Sequence, residues 1–259
     1  MYVDVDTPLL RNTITLVACL IAAGLVFVAR RLMPPERLRE NNEFTGFTYA
    51  FAGLVYGVFL AFTTVIVWEH FEKADDDAAR EAAHLQELWR DVASLPDGPA
   101  IRENIRRYCA SVIDHEWPSM AQEHGDDPRT NAIYDELWHR VSGARIDPGS
   151  ATQAAMFAEA VRQVNETGLA RRQRLLAGNA NVPTVMWRML VAGAIGMILF
   201  TYLIAAKHSL VQLLTTVFLA ALLTYSVLIV AALIHPYDGD VRVTPEAFRA
   251  VLHTMETAK

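Results

Sequence analysis

Residues 41–70 read NNEFTGFTYAFAGLVYGVFLAFTTVIVWEH, and this stretch decides the fold. Asn41, Asn42 and Glu43 open it with three polar side chains. Residues 44–68 carry no charge, and Glu69 and His70 close the run. At about 1.5 Å of rise per residue, a helix of this length crosses a hydrocarbon core of about 30 Å. A bilayer interior offers no water to the backbone, so helix is the predicted conformation. Two strips run along it. Gly46, Ala50, Gly53, Gly57 and Ala61 recur at helical spacing as small residues that let another helix approach closely. Phe51, Val55, Val58 and Phe62 form a second strip on a different face. It faces either lipid or, with several copies of the helix around an axis, a narrow apolar constriction that gates ions by dewetting.

The rest of the composition agrees with a membrane protein. The chain has 259 residues, is 53% hydrophobic and has a formal net charge of −6. A soluble domain of this size would not carry several uncharged runs of membrane length. The acidic balance and the lack of a basic stripe exclude nucleic acid as an expected partner. Cys19 lies in an apolar run and Cys109 in a polar region, so no disulfide is expected. No cleavable signal peptide is expected either, because Asp4 and Asp6 precede the first apolar run and Arg30-Arg31 follow it.

The first span is predicted over residues 9–29, ending at Arg30 and Arg31. Met33-Pro34-Pro35 breaks the helix. A polar loop through Arg37, Arg39 and Glu43 leads into the second span, 44–68, to make a hairpin. Beyond Trp68 the pattern turns amphipathic without a break. Phe71, Ala74, Ala78, Ala82, Leu85, Leu88, Val92 and Leu95 alternate three and four apart. Glu72, Asp75, Asp76, Asp77, Arg80 and Glu81 fill the polar side, so one helix is predicted to run on to about Ser94. Pro99 starts the next helix, which Pro118 ends or kinks. Asp127-Pro128 and Asp147-Pro148 start two more, with Gly143 closing the first of these. Residues 69–184 thus read as an all-α domain inserted between the second and third spans. Residues 179–183 are a break. A third span follows at Val185 to Ala206, with Arg188 able to snorkel, and a fourth at Leu210 to Ile234. Together they form a second hairpin over residues 185–234. Residues 235–259 hold a turn-rich acidic loop and a helix capped by Thr244-Pro245. The stripe of that helix, Phe248, Val251, Leu252 and Met255, docks on the bundle or on a membrane surface.

The charges do not fix orientation. Arg30, Arg31, Arg37, Arg39 and Lys207 lie on one side, and Lys73, Arg80, Arg171, Arg172, Arg174, Arg242 and Arg249 on the other. Catalytic patterns are missing: no G-x-S-x-G, phosphate loop, H-E-x-x-H or C-x-x-C occurs, and no enzyme activity or cofactor is expected. His115, Glu116 and His124 are out of helical register across Pro118, which argues against a metal site. Glu116-Trp117 reads as a packing and interfacial pair. The acids Glu69, Glu72, Asp75 and Asp76, with Asp77, are either a solvated face or, around a pore, rings that favour cations.

The residues Asn41-Asn42-Glu43, Gly46-Phe47, Tyr56, Ala61-Phe62 and Trp68-Glu69, then Glu116-Trp117-Pro118 and Met120, then Pro236, Gly239, Val243, Pro245 and Phe248 carry a family resemblance. The chain resembles the bestrophin-like family of four-pass prokaryotic membrane proteins over nearly its whole length. That family is remotely similar to bestrophins, pentameric channels for chloride or, in some bacterial members, cations. The resemblance implies a homo-oligomeric, likewise pentameric, ion channel in the cell membrane, with a neck of Phe51, Val55, Val58 and Phe62 and a cytoplasmic helical domain. Its partners would be the lipid bilayer, inorganic ions and further copies of itself. Asp238 and Asp240 flank Gly239 in a loop loosely similar to the bestrophin calcium clasp, but the long acidic run of that clasp is missing here. A non-conducting scaffold or stress sensor whose helical domain binds a protein is the alternative from another functional class.

Overall fold

The computed structural model describes residues 7–122, 125–178 and 183–257. The expected break at 179–182 and His124 lie outside the described residues. Among those described, regular structure is entirely helical: α1 Pro8–Leu32, α2 Pro35–Arg39, α3 Asn42–Asp91, α4 Gly98–Ser111, α5 Trp117–Ala121, α6 Pro128–Ser142, α7 Ala151–Gly178, α8 Thr184–Thr201, α9 Ser209–Leu233 and α10 Glu246–Thr257. Four of these, α1, α3, α8 and α9, are long and apolar enough to cross a membrane. The chain divides into two compact units, Met1–Glu69 with Asn181–Ile234, and His70–Ala180 with His235–Lys259.

The amphipathic turns beyond Trp68 do continue the second span. α3 runs for 50 residues and ends in a single 3₁₀ turn, Val92–Ser94. Several predicted ends shift. The third span stops at Thr201 instead of Ala206. Residues 202–208 form a turn whose carbonyls and amides are met by side chains of other elements. The helix expected to start at Asp147-Pro148 starts at Ala151, because Ser150 caps it: its Oγ accepts from Gln153 N at 3.2 Å. Asp127 is the cap expected, accepting from Thr130 N at 2.9 Å. Pro118 does not end its helix. A π turn over Val112–Glu116 widens the backbone just before it, making room for the proline ring, and α5 carries on to Ala121.

Within the first unit the helices are joined by polar contacts and by close backbone approach. α1 packs along α9, and α8 packs on α9. α3 packs on α8. The Asn42 amide spans the turn after α8, donating to Ala205 O at 2.8 Å and accepting from Ala205 N at 3.1 Å. Tyr56, buried at 8% exposure, donates to Leu190 O at 3.0 Å. Its ring lies flat enough on α8 that a Cβ at Gly193 would sit 2.4 Å from Tyr56 Cε2. Tyr202 donates to Ala22 O at 3.1 Å, and Thr216 to Thr201 Oγ1 at 3.2 Å. Arg30 reaches Gln212 Oε1 at 2.7 Å. Lipid supplies no hydrophobic drive between spans, so such contacts are what hold them together.

The second unit has an aqueous-type core. Ala74, Ala78, Leu85 and Leu88 of α3 and Val92 of the 3₁₀ turn after it meet Ile101, Ile105 and Tyr108 of α4, Leu137 of α6 and Val164 of α7. Phe248, Val251 and Met255 of α10 close this core, so the C-terminal stripe docks on the bundle. Cys19 and Cys109 are both free, Cys109 fully buried.

Gly193→Ala is expected to push Tyr56 off α8 and lower stability by about 1–3 kcal/mol. Thermal melts in detergent check this, and Tyr56→Phe should show a smaller loss because the ring still packs.

Candidate functional site

The strip expected on α3 is open within the chain. Phe51 is 62% and Phe62 65% exposed, and Val55 and Val58 are exposed beside them. The opposite face of the same helix buries Tyr56, Thr63 and Val67. A helix turns about 100° per residue, so the exposed four share a side and the buried three share another. The small residues are used unevenly. A Cβ at Gly53 would meet Met197 Cε of α8 at 3.2 Å, whereas Gly46 and Gly57 face open space. Ala50 and Ala61 are exposed as well. Only Gly53 is therefore spent on packing inside the chain.

The acids that follow divide into two sets. Glu69, Glu72, Asp75 and Asp76 are exposed. Asp77, read from the sequence with the same polar face, is 1% exposed. Glu81 departs further from that reading, being completely buried. The polar side of the sequence pattern was too wide: Asp77 and Glu81 turn towards α7, whose arginines the pattern could not place.

Around Glu81 the second unit holds a buried charge cluster that sequence reasoning missed. Arg174 of α7, fully buried, donates from Nε to Glu81 Oε2 at 2.8 Å and from Nη2 to Glu116 Oε2. Its Nη1 points at Met120 Sδ, 2.9 Å away. Arg171, one turn earlier, bonds Glu116 Oε1 and Asn131 Oδ1. Tyr108 of α4 donates to Glu81 Oε1 at 2.5 Å. The Arg174 guanidinium also lies 5.3 Å from the Trp117 ring centre and 5.6 Å from that of Phe248. Two carboxylates and two guanidiniums balance. Burial disfavours the charged form of Arg174, but Glu81, Glu116 and Tyr108 more than compensate and raise its pKa well above the ordinary value. Burial, followed by the Glu81 charge, pushes the Tyr108 hydroxyl far up, so it stays a donor. Arg171 and Arg174, counted above as span flanks, are thus no guide to orientation. Glu116, read as an interfacial partner of Trp117, is instead the acid that joins both arginines.

The loop after α9 is a fold element in its own right. Gly239 has φ +78°, a left-handed conformation that favours glycine, and its N–H donates to Asp238 Oδ1 at 2.8 Å. Asp238 is thereby engaged in its own turn. Among the described residues no group of three or more His, Cys, Asp or Glu could hold a metal ion. Val243 N donates back to Pro236 O at 2.7 Å and Val243 O accepts from Trp117 Nε1 at 3.2 Å.

Arg174→Met leaves Glu81 and Glu116 buried with half their neutralising charge. A loss of about 3–5 kcal/mol is expected, read by thermal or denaturant unfolding. Replacing Glu81, Glu116 and Arg174 together by apolar residues of similar volume should cost less than that single change.

Comparison with known proteins places this arrangement. The Bestrophin-like domain family matches residues 16–248. A crystal structure of a bacterial bestrophin homolog from Klebsiella pneumoniae carrying a point mutation is 13% identical. It covers 93% of this chain and 97% of its own, with a TM-score of 0.70. A second structure of the Klebsiella pneumoniae homolog, phased on zinc, is 14% identical over 93% and 95% of the two chains, with a TM-score of 0.67. A structure described as a membrane protein is 14% identical over 93% and 95%, with a TM-score of 0.66. Comparison with curated proteins gave no match. Identities this low establish a common fold, and the family match covers most of the sequence: the chain belongs to the bestrophin-like family of membrane proteins.

Proposed function

We propose that the protein is a homo-oligomeric ion channel in which α3 of each subunit lines the pore. Phe51, Val55, Val58 and Phe62 form its apolar neck, which gates by dewetting. One observation carries this reading. In a bestrophin-like chain, the helix that carries the uncharged run 44–68 leaves these four apolar side chains exposed while burying its other side. The open glycines Gly46 and Gly57 and the exposed alanines Ala50 and Ala61 offer the neighbouring subunit a surface for close packing. Rings of Glu69, Glu72, Asp75 and Asp76 at the pore mouth favour cations. The likeness to bestrophins suggests five subunits. It also suggests that residues 69–184 and 235–259 form the cytoplasmic part, flanked by the hairpins 1–68 and 185–234 in the cell membrane. The partners are lipid, inorganic ions and identical copies; the reading includes no enzyme activity and no nucleic acid.

Purified protein in planar bilayers should give unitary currents, and Phe51→Ala and Phe62→Ala should raise the current at fixed voltage by widening and wetting the neck. Absence of current, or current indifferent to both changes, removes the channel reading and leaves the non-conducting scaffold. Particle mass in a native-like membrane mimic tests assembly separately. A ring-closing stoichiometry is expected, and Gly57→Leu should break it without disturbing the fold of the single chain.

A further inference from the structure

Behind the exposed acids, α3 and α7 enclose a pocket of about 210 Å³ lined by His70, Lys73, Asp77, Gln173, Leu176 and Ala177. Asp77 is the feature that needs an explanation. Its side chain is 1% exposed, and Oδ1 has only a 3.4 Å contact with Arg80, itself 53% exposed. Oδ2 is buried and has no hydrogen-bond partner. A buried carboxylate oxygen is normally met by a donor or a cation. Burial raises the Asp77 pKa, with Asp76 adding to the rise and Arg80 and Lys73 opposing it. The ionised form is thus under-compensated by the chain itself.

The pocket supplies what a hard, weakly charged cation takes. Asp77 brings a carboxylate to its lining and Gln173 an amide, and Leu176 and Ala177 are its apolar lining residues. One carboxylate is too little charge for a firm divalent site, which draws on several. Lys73, one turn before Asp77 on the same helix, lowers net charge further. The volume holds several waters at about 30 Å³ each. We propose that this pocket is a monovalent-cation site, in which the Asp77 carboxylate and the Gln173 side chain hold a partly hydrated alkali ion. Lys73 is its internal competitor. The site depends on the fold of the helical unit and is independent of whether the protein conducts.

Rubidium is the probe, on the full-length protein in detergent. At matched ionic strength, rubidium chloride should raise Tm by a few degrees over N-methylglucamine chloride, in a saturating manner. Asp77→Asn should abolish the difference, and Lys73→Met should shift saturation several-fold towards lower rubidium. Crystals grown in rubidium should show an anomalous peak beside Asp77 and Gln173. A Tm rise equal in wild type and Asp77→Asn would overturn the site. So would a Lys73→Met protein that melts lower and gains no rubidium response, since Lys73 is then the partner of Asp77 in solution. Should Asp77→Asn fail to fold, the Lys73→Met titration and the anomalous map decide.

Discussion

A guanidinium with no access to water orders the helical unit. Taking the Arg174 charge out of water is costly, and the fold tolerates it only because carboxylates from two other elements meet it. Glu81 comes from α3 and Glu116 from the π turn after α4, while Arg174 itself belongs to α7. Each partner must arrive from a different direction, so the cluster fixes three helices at once. Arg171 and Tyr108 occupy lone pairs that Arg174 leaves on the two acids. The π turn then has a physical purpose. It accommodates Pro118 and at the same time delivers Glu116 to the core and Trp117 to the face of Arg174.

This cluster also explains why particular residues carry the family pattern in the second half of the chain. Glu116 bonds both arginines, Trp117 and Phe248 lie beside the guanidinium, and Met120 contacts it through sulfur. Val243 holds the Trp117 indole by its carbonyl, and Gly239 permits the turn that brings Val243 back. In the first half the pattern residues act on the backbone of another span. Asn42 binds both polar groups of Ala205, and Tyr56 takes a carbonyl of α8. Inside a bilayer, van der Waals packing and such bonds are the available glue.

α3 changes solvent along its length. Its first half shows lipid or a partner an apolar surface, and its second half packs an aqueous-type core through a stripe of Ala, Leu and Val. No glycine or proline interrupts it between Gly57 and Asp91.

Hydropathy and periodicity alone determined the all-helical class, the four spans and the continuity of the second span into the next domain; they gave the last helix an apolar stripe, and the tertiary structure decided that it docks on the bundle. What they determined follows from local properties: an uncharged run has no other conformation in a bilayer, and a three–four repeat has one apolar side. The ends of helices were less legible, because Ser150 and the π turn at Pro118 depend on single competing hydrogen bonds. Glu81, Asp77, Arg171 and Arg174 were not legible as buried groups. A charged residue at the edge of a polar face looks the same in sequence whether water or an opposite charge 93 positions away meets it. Which charges are buried was decided only by tertiary structure, since Coulomb attraction depends on distance in space and leaves no mark on spacing along the chain.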